Sequence, residues 1–360
     1  MKNILYIGKY NGIIGGIERY MQKSAELLRR NGFAVHYLYT GNGGKDPEKF
    51  AAAFDTIAGF LPENPLISVA DIIVIHNIIA PELLKTLPAK KTFFFAHDHN
   101  IYCQRHHYYT PLGRINCHRR YNKFICKICS LVRNEAPPLA EYCKLPALVL
   151  SDFMADNLRK NGFEKVFKLP AFIKTAPKEH NFMPNGILRI LFLGQLIRGK
   201  GADLMLKTLA KLDIPFTCTI AGDGNDREML TEMVKKYHLQ KQIHFAGFVS
   251  EPEKLWDDCD LFFFPIRWQE PFGLVALEAM AHGVPVVTFD IGGVREYLTS
   301  GCGSLVPEKN INSAAEHITL YYSQPELLKT SGDNGLLIAE NKFSEEKFVK
   351  KFNELLEVLQ

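Results

Sequence analysis

Two α/β domains, each a doubly wound parallel sheet with helices on both faces, are what this 360-residue sequence predicts. Three observations carry that expectation. Short apolar runs alternate with helical segments almost throughout; NILYIG (residues 3–8) and RILFLG (189–194) open two copies of one plan; and the length suggests two cores rather than one.

The first copy starts with the apolar strand NILYIG, followed by a glycine loop from Asn11 to Gly16. The helix IERYMQKSAELLRRNG comes next, with Ile17, Tyr20, Met21, Leu27 and Leu28 at apolar positions and Gly32 as its stop. AVHYLYT closes the strand, helix, strand unit. The Pro-rich and polar segment 169–186 reads as a hinge. After it, RILFLG leads to a loop (Gln195 to Gly201), the helix ADLMLKTLAKL and the strand FTCTIAG. IHFAG and DLFFFP follow as strands, each with a helix after it, then PVVTFD before Gly292 and Gly293. The amphipathic segment SEEKFVKKFNELLEVLQ ends the chain. The expected domains are 1–178, carrying a basic Cys-rich insertion at about 99–134, and 179–343, with a helix at 344–360 packing back toward the N-terminal domain.

At 47% hydrophobic and 23% charged residues, the composition is that of an ordinary globular chain. No apolar run approaches the roughly 18 residues of a membrane span, and the opening breaks into glycines too early for a signal peptide. A cytoplasmic location is expected. Charge divides unevenly: residues 1–180 hold 25 Lys and Arg against 15 Asp and Glu, whereas residues 181–360 hold 18 against 24. From His99 to Asn134 there is no acid, but Arg105, Arg114, Arg119, Arg120, Lys123, Lys127 and Arg133 are interleaved with Tyr, Phe and His. Such a surface suits anionic lipid on the inner face of a membrane, or phosphate; the alternative is a solvated charged face. No nucleic-acid motif accompanies it. Cys103, Cys117, Cys126 and Cys129 lie in the same stretch, where four thiolates can hold a structural zinc; the alternative is unrelated reduced thiols.

In doubly wound sheets ligands bind at the carboxyl ends of the strands, so the chemistry belongs in the loops. Neither G-x-G-x-x-G with a following acid nor G-x-x-x-x-G-K-[ST] is present. The loop Gln269 to Gly273 follows DLFFFP and precedes a helix expected to begin near Phe272. There the amides of Phe272, Gly273 and Leu274 point out of a helix N-terminus toward an anion such as a diphosphate. Glu278 lies roughly 6–8 Å further along that helix, a phosphate-to-ribose distance, where its carboxylate accepts from two sugar hydroxyls. Arg198 and Lys200, between the small residues Gly199 and Gly201, supply cations to a leaving diphosphate. Read singly, a Glu can pair locally and Arg-Gly-Lys-Gly can be a turn.

Together, GQLIRGKG, AGDG, FAGFVS, EPFGLVALE, AHGVPVV, GGVREYL and GSLV, in that order from Gly194 to Val306, resemble the retaining nucleotide-sugar glycosyltransferases of family 4, which have the GT-B fold. SDFMADNLRKNGF and GGIERYM extend the resemblance over nearly the whole chain. It implies two facing domains with a cleft between them, and an E-x7-E pair in which Glu270 faces the donor sugar and Glu278 holds the ribose. Arg198 and Lys200 resemble the basic pair that grips the diphosphate, although many relatives carry Arg where this chain has Gln195. Gly222, Gly224, Phe248 and Val249 match loops beside the base; Gly15 and Gly16 match the glycine loop near phosphates and acceptor; His97 matches a histidine beside the reacting sugar. The resemblance further implies retention of anomeric configuration and no essential metal cofactor. It implies a nucleotide-sugar donor, UDP-sugar before GDP-sugar, and a glycan or lipid-linked acceptor in surface polysaccharide or lipopolysaccharide assembly. A non-catalytic nucleotide-sugar-binding module and a sugar-nucleotide epimerase are the alternatives on this scaffold.

Overall fold

A computed structural model of the chain describes residues 2–110, 115–130, 136–176, 180–299 and 301–358. The first seven strands are β1 (Asn3–Gly8), β2 (Ala34–Tyr39), β3 (Thr56–Gly59), β4 (Ile72–Ile75), β5 (Thr92–Phe95), β6 (Ala147–Val149) and β7 (Val166–Lys168). They form one parallel sheet in the order β3-β2-β1-β4-β5-β6-β7. The central strands are apolar without alternation; all four residues of β4, IIVI, are buried, as expected for a strand covered on both faces. Helix Gly16–Arg30 turns Tyr20, Met21, Ala25, Leu27 and Leu28 inward. Its buried Glu18 reaches back to the Gly15 amide at 3.0 Å, satisfying a donor that the helix start leaves open.

The second sheet comprises β8 (Leu188–Leu193), β9 (Phe216–Ala221), β10 (Ile243–Gly247), β11 (Leu261–Phe264), β12 (Val286–Phe289) and β13 (Gly303–Val306). Its order is β10-β9-β8-β11-β12-β13, the same winding as the first sheet without its last strand. In both, strand order reverses beside the opening strand, so the crevice at the strand ends lies between β1 and β4 in one and between β8 and β11 in the other. The fold class expected from the alternation is the one observed.

The chain divides into two compact units, Met1–Ala171 with Glu345–Gln360, and Phe172–Ser344. The expected boundary at residue 178 falls on residues 177–179, which lie outside the described residues, as do Arg114 and Arg133. Helix Glu345–Val358 belongs to the first unit, where Phe348, Phe352, Leu355 and Leu356 are buried, the Phe352 ring meets Phe33 edge-on at 5.8 Å, and Glu345 pairs with Arg30.

Some local expectations are displaced. The segment after β10, expected to be a helix, forms only the short 3-10 helix Pro252–Trp256. The helix expected near Phe272 begins at Leu274, because Gly273 takes a left-handed φ of +89° as its N-cap. A β-carbon at Gly273 would lie 2.8 Å from Val294 Cγ2 and 2.9 Å from the Tyr297 hydroxyl, so both conformation and space demand glycine.

The anchoring of the C-terminal helix yields a direct test. Replacing Phe352 by Ala removes a buried aromatic ring, and we expect denaturant unfolding to show a loss of about 3–5 kcal/mol in the stability of the first unit.

Candidate functional site

In the second unit the loops after β8 and β11 are neighbours, because those strands pair side by side. What locks the loops together is Arg267. Its guanidinium is buried on Asp203, with Nη1 donating to Oδ1 and Nη2 to Oδ2, both at 2.8 Å. Nη1 also donates to the Arg198 carbonyl at 2.6 Å, and the Arg267 amide donates to the Gly199 carbonyl at 2.8 Å. Burial pushes the Asp203 carboxyl up, but the Arg267 hydrogen bonds and the charges of Arg267, Arg198 and Lys207 outweigh it and leave the group below the usual range.

This clamp presents Lys200 and Glu270 to one another. Lys200 Nζ lies 3.0 Å from Glu270 Oε2, both side chains mostly shielded from solvent. The Trp268 indole Nε1 donates to the same oxygen at 3.3 Å, and Lys200 Nζ sits 5.4 Å from the centre of the Trp268 ring. Trp268 lies flat against Gly199, where any β-carbon would overlap the ring. On its other side, the Glu270 backbone carbonyl accepts from the Gly293 amide at 2.8 Å. The carboxylate is therefore held in place by its side chain and by its main chain.

Helix Leu274–Ala281 starts immediately beyond. Its first backbone bonds back to Gly273 come from Ala276 and Leu277, so the Leu274 and Val275 amides occupy the positions that an α-helix leaves without an internal acceptor. The Phe272 ring is turned into the core against Tyr297 and Phe343, which leaves its backbone as the part that can meet a ligand. Glu278 is half-buried one turn further on, and its carbonyl accepts from His282 Nδ1. Arg198 differs from Lys200: its half-exposed guanidinium is 3.3 Å from Asp203 rather than on Glu270. Gly222 and Gly224, after β9, sit against the backbone of Gly194 and Leu196; Phe248 is exposed and Val249 partly buried just past β10.

In the first unit, Gly15 caps helix Gly16–Arg30 and Gly16 is exposed at its start. His97 follows β5, stacked on Phe95 with ring centres 4.2 Å apart. Its Nε2 lies 2.9 Å from Nδ1 of His76, a fully enclosed residue at the end of β4. Burial drives the His97 pKa down to about 3 and that of His76 well below the ordinary histidine value. Next in the chain, burial raises the Asp98 carboxyl to about 6 against the hydrogen bonds from Asn100.

The four cysteines expected to hold zinc are neighbours, since Cys117 and Cys126 act electrostatically on both Cys103 and Cys129. Among the described residues no three His, Cys, Asp or Glu side chains group to hold a metal ion. Cys103 and Cys117 are packed against the core of the first sheet, where burial raises the Cys103 thiol, and Cys126 and Cys129 ride on the short helix Lys123–Cys129. No described helix is long and apolar enough to cross a membrane.

Four residues that shape the site were absent from the sequence reading: Asp203, Arg267, Trp268 and His76. Arg267 carried a signal, since an arginine directly after the apolar run LFFFPI needs a carboxylate partner if it is buried. His76 likewise ends an apolar strand, but nothing in the sequence pairs it with His97.

Residues 174–336 match the family model described as glycosyl transferases group 1. The chain is 34% identical over 172 residues to an uncharacterised glycosyltransferase of Methanocaldococcus jannaschii, covering 47% of this chain and 48% of that protein. It is 35% identical over 125 residues to the O-antigen biosynthesis glycosyltransferase WclY of Escherichia coli, covering 35% of each. The chain thus spans about half, or less, of the length of these curated relatives. The solved structure of Anabaena HepE in complex with UDP and glucose superimposes with a TM-score of 0.76 at 16% identity, over 99% of this chain and all of that one, which shows the two-domain GT-B fold.

Two measurements check the site. Arg267→Ala takes both guanidinium hydrogen bonds from the buried Asp203 carboxylate and leaves it only the partly exposed Arg198 and Lys207, and a loss of about 3–5 kcal/mol in denaturant unfolding is expected at neutral pH. Because the Asp203 pKa is depressed in the folded state, that loss shrinks as acid protonates the carboxyl. For His97, the folded pKa lies below the unfolded one, so its ring weakens folding only as pH falls below about 6.5. Its C–H resonances should hold their chemical shifts between about pH 5 and 8, where an ordinary histidine titrates.

Proposed function

We propose that this chain is a retaining glycosyltransferase that moves a sugar from a nucleotide-diphosphate sugar to a hydroxyl of a glycan or lipid-linked acceptor. The observation that carries the reading is the Lys200–Glu270 pair, 3.0 Å apart at the ends of two adjacent parallel strands and directly before a glycine-capped helix N-terminus. An ammonium beside helix amides suits a diphosphate, and a carboxylate fixed at their edge suits a sugar that carries hydroxyl donors. Glu278, further along the same helix, suits the ribose.

In this reading the bond between the anomeric carbon and the diphosphate oxygen breaks, and its electron pair leaves with the phosphate. Lys200, Arg198 and the amides of Phe272, Gly273 and Leu274 neutralise the developing charge, which is where electrostatic stabilisation acts most strongly. The acceptor hydroxyl attacks the same face and passes its proton to the departing oxygen. His97, held neutral by burial, offers the sugar a hydrogen bond without a competing positive charge. Gly222, Gly224, Phe248 and Val249 flank the base, and Gly15 and Gly16 the acceptor side.

A UDP-sugar is the proposed donor, in keeping with the UDP bound by HepE, and a surface polysaccharide the proposed product, in keeping with the O-antigen role in the name of WclY. The proposed workplace is the cytoplasm, at the inner face of the membrane.

Screening UDP-, GDP- and ADP-sugars for binding, hydrolysis and transfer tests this directly. We expect UDP-sugar turnover with a product of unchanged anomeric configuration; an inverted product, or an epimerised nucleotide sugar released without transfer, would overturn it. Glu278→Ala should weaken nucleotide affinity roughly tenfold to a hundredfold, the loss of hydrogen bonds to a charged acceptor. Lys200→Ala should lower kcat by roughly a hundredfold or more while the fold persists.

A further inference from the structure

The exposed large apolar side chains of the described residues are not scattered evenly. Phe124 is 80% exposed, Ile128 62%, Ile115 58% and Ile125 46%, and all four fall within the acid-free stretch of the first unit. Three of them lie on the helix Lys123–Cys129. Phe124 and Ile128 are one turn apart and so form a stripe, with Ile125 beside it. Lys123 and Lys127, also one turn apart and exposed, border that stripe. Arg119 and Arg120 stand exposed just before the helix.

The stripe is held outward rather than loosely displayed. The Asn122 side chain caps the helix, accepting from the Phe124 and Ile125 amides at 3.0 Å. At its other end, the Ser130 hydroxyl lies 3.2 Å from the Gln104 side-chain oxygen in a buried contact. The half-buried Cys126 and Cys129 occupy the face opposite Phe124 and face the protein. Since a lone exposed hydrophobe is ordinary but a contiguous set rimmed by cations is not, the patch calls for an occupant.

We infer that this helix is a docking surface for an anionic lipid bilayer, with Phe124, Ile125 and Ile128 entering the interface and Lys123, Lys127, Arg119 and Arg120 meeting lipid phosphates. Aliphatic and aromatic side chains on one side and cations on its border are what an interfacial helix needs. A second copy of the chain is disfavoured, because a two-fold contact through this stripe would set the same cations against each other. The inference does not rest on the transferase reading, since binding to vesicles involves no turnover.

Flotation of the full chain with vesicles tests it, using phosphatidylcholine alone and phosphatidylcholine mixed two to one with phosphatidylglycerol. We expect recovery with the anionic vesicles and not with the neutral ones. Replacing Lys123 and Lys127 by Gln should weaken partition about fivefold per cation. Replacing Phe124 and Ile128 by Ser should weaken it roughly tenfold or more. Phe124→Trp gives an independent readout, its emission shifting to the blue as the ring leaves water. The inference is overturned if the chain stays unbound with anionic vesicles at low salt, or if both double variants bind like the parent. It is equally overturned if vesicles bind without a shift in Phe124→Trp emission, or if sedimentation shows a dimer that the Phe124→Ser change abolishes.

Discussion

The buried pairing of Arg267 with Asp203 is the constraint on which the candidate donor site depends. One guanidinium satisfies a carboxylate at the start of one helix and the backbone carbonyl of Arg198, while its own amide holds Gly199. Two loops that would otherwise move independently at the strand ends become one rigid edge. A buried ion pair of this kind adds little net stability over an apolar contact, but it is costly to break and geometrically exacting. Precise positioning of Lys200 against Glu270 is what that exactness provides, and positioning is the larger part of what a phosphate-leaving reaction asks of a protein.

The fold was legible because its signals are periodic and repeated. Buried parallel strands such as IIVI, LFFF and VVTF read as continuous apolar runs, and the recurrence of NILYIG as RILFLG exposed the duplicated plan. Boundaries were less legible where a single backbone angle decided them. Gly273 in the left-handed region moves the helix start two residues beyond Phe272, and proline at the first position of Pro252–Trp256 opens a turn too short to become an α-helix.

Within the site, the sequence reached the residues whose chemistry is conspicuous, Lys200, Glu270 and Glu278, and missed those whose role is to hold them. Nothing local in the sequence sets Asp203 or Trp268 apart; the fold does so by placing them against Arg267, Glu270 and Gly199. Spacing along the chain put four cysteines close in number, and the fold keeps them close: Cys103 and Cys117 pack against the first core, Cys126 and Cys129 ride on one short helix, and Cys117 and Cys126 act electrostatically on the other two. Charge, too, transferred well from sequence to surface, since the acid-free stretch does present Arg119, Arg120, Lys123 and Lys127 to solvent.

Trp268 reports on the central claim, a nucleotide-diphosphate site at the ends of β8 and β11. Its indole touches Glu270 and lies under the Lys200 ammonium, whereas the other tryptophan, Trp256, is sealed in the core at 1% exposure. The decisive measurement is tryptophan emission during titration with UDP, with uridine as the control lacking phosphates. The account predicts a saturable change with UDP, as the diphosphate draws Lys200 from Glu270, and none with uridine at equal concentration. Emission unaltered by UDP, GDP and ADP alike would contradict it.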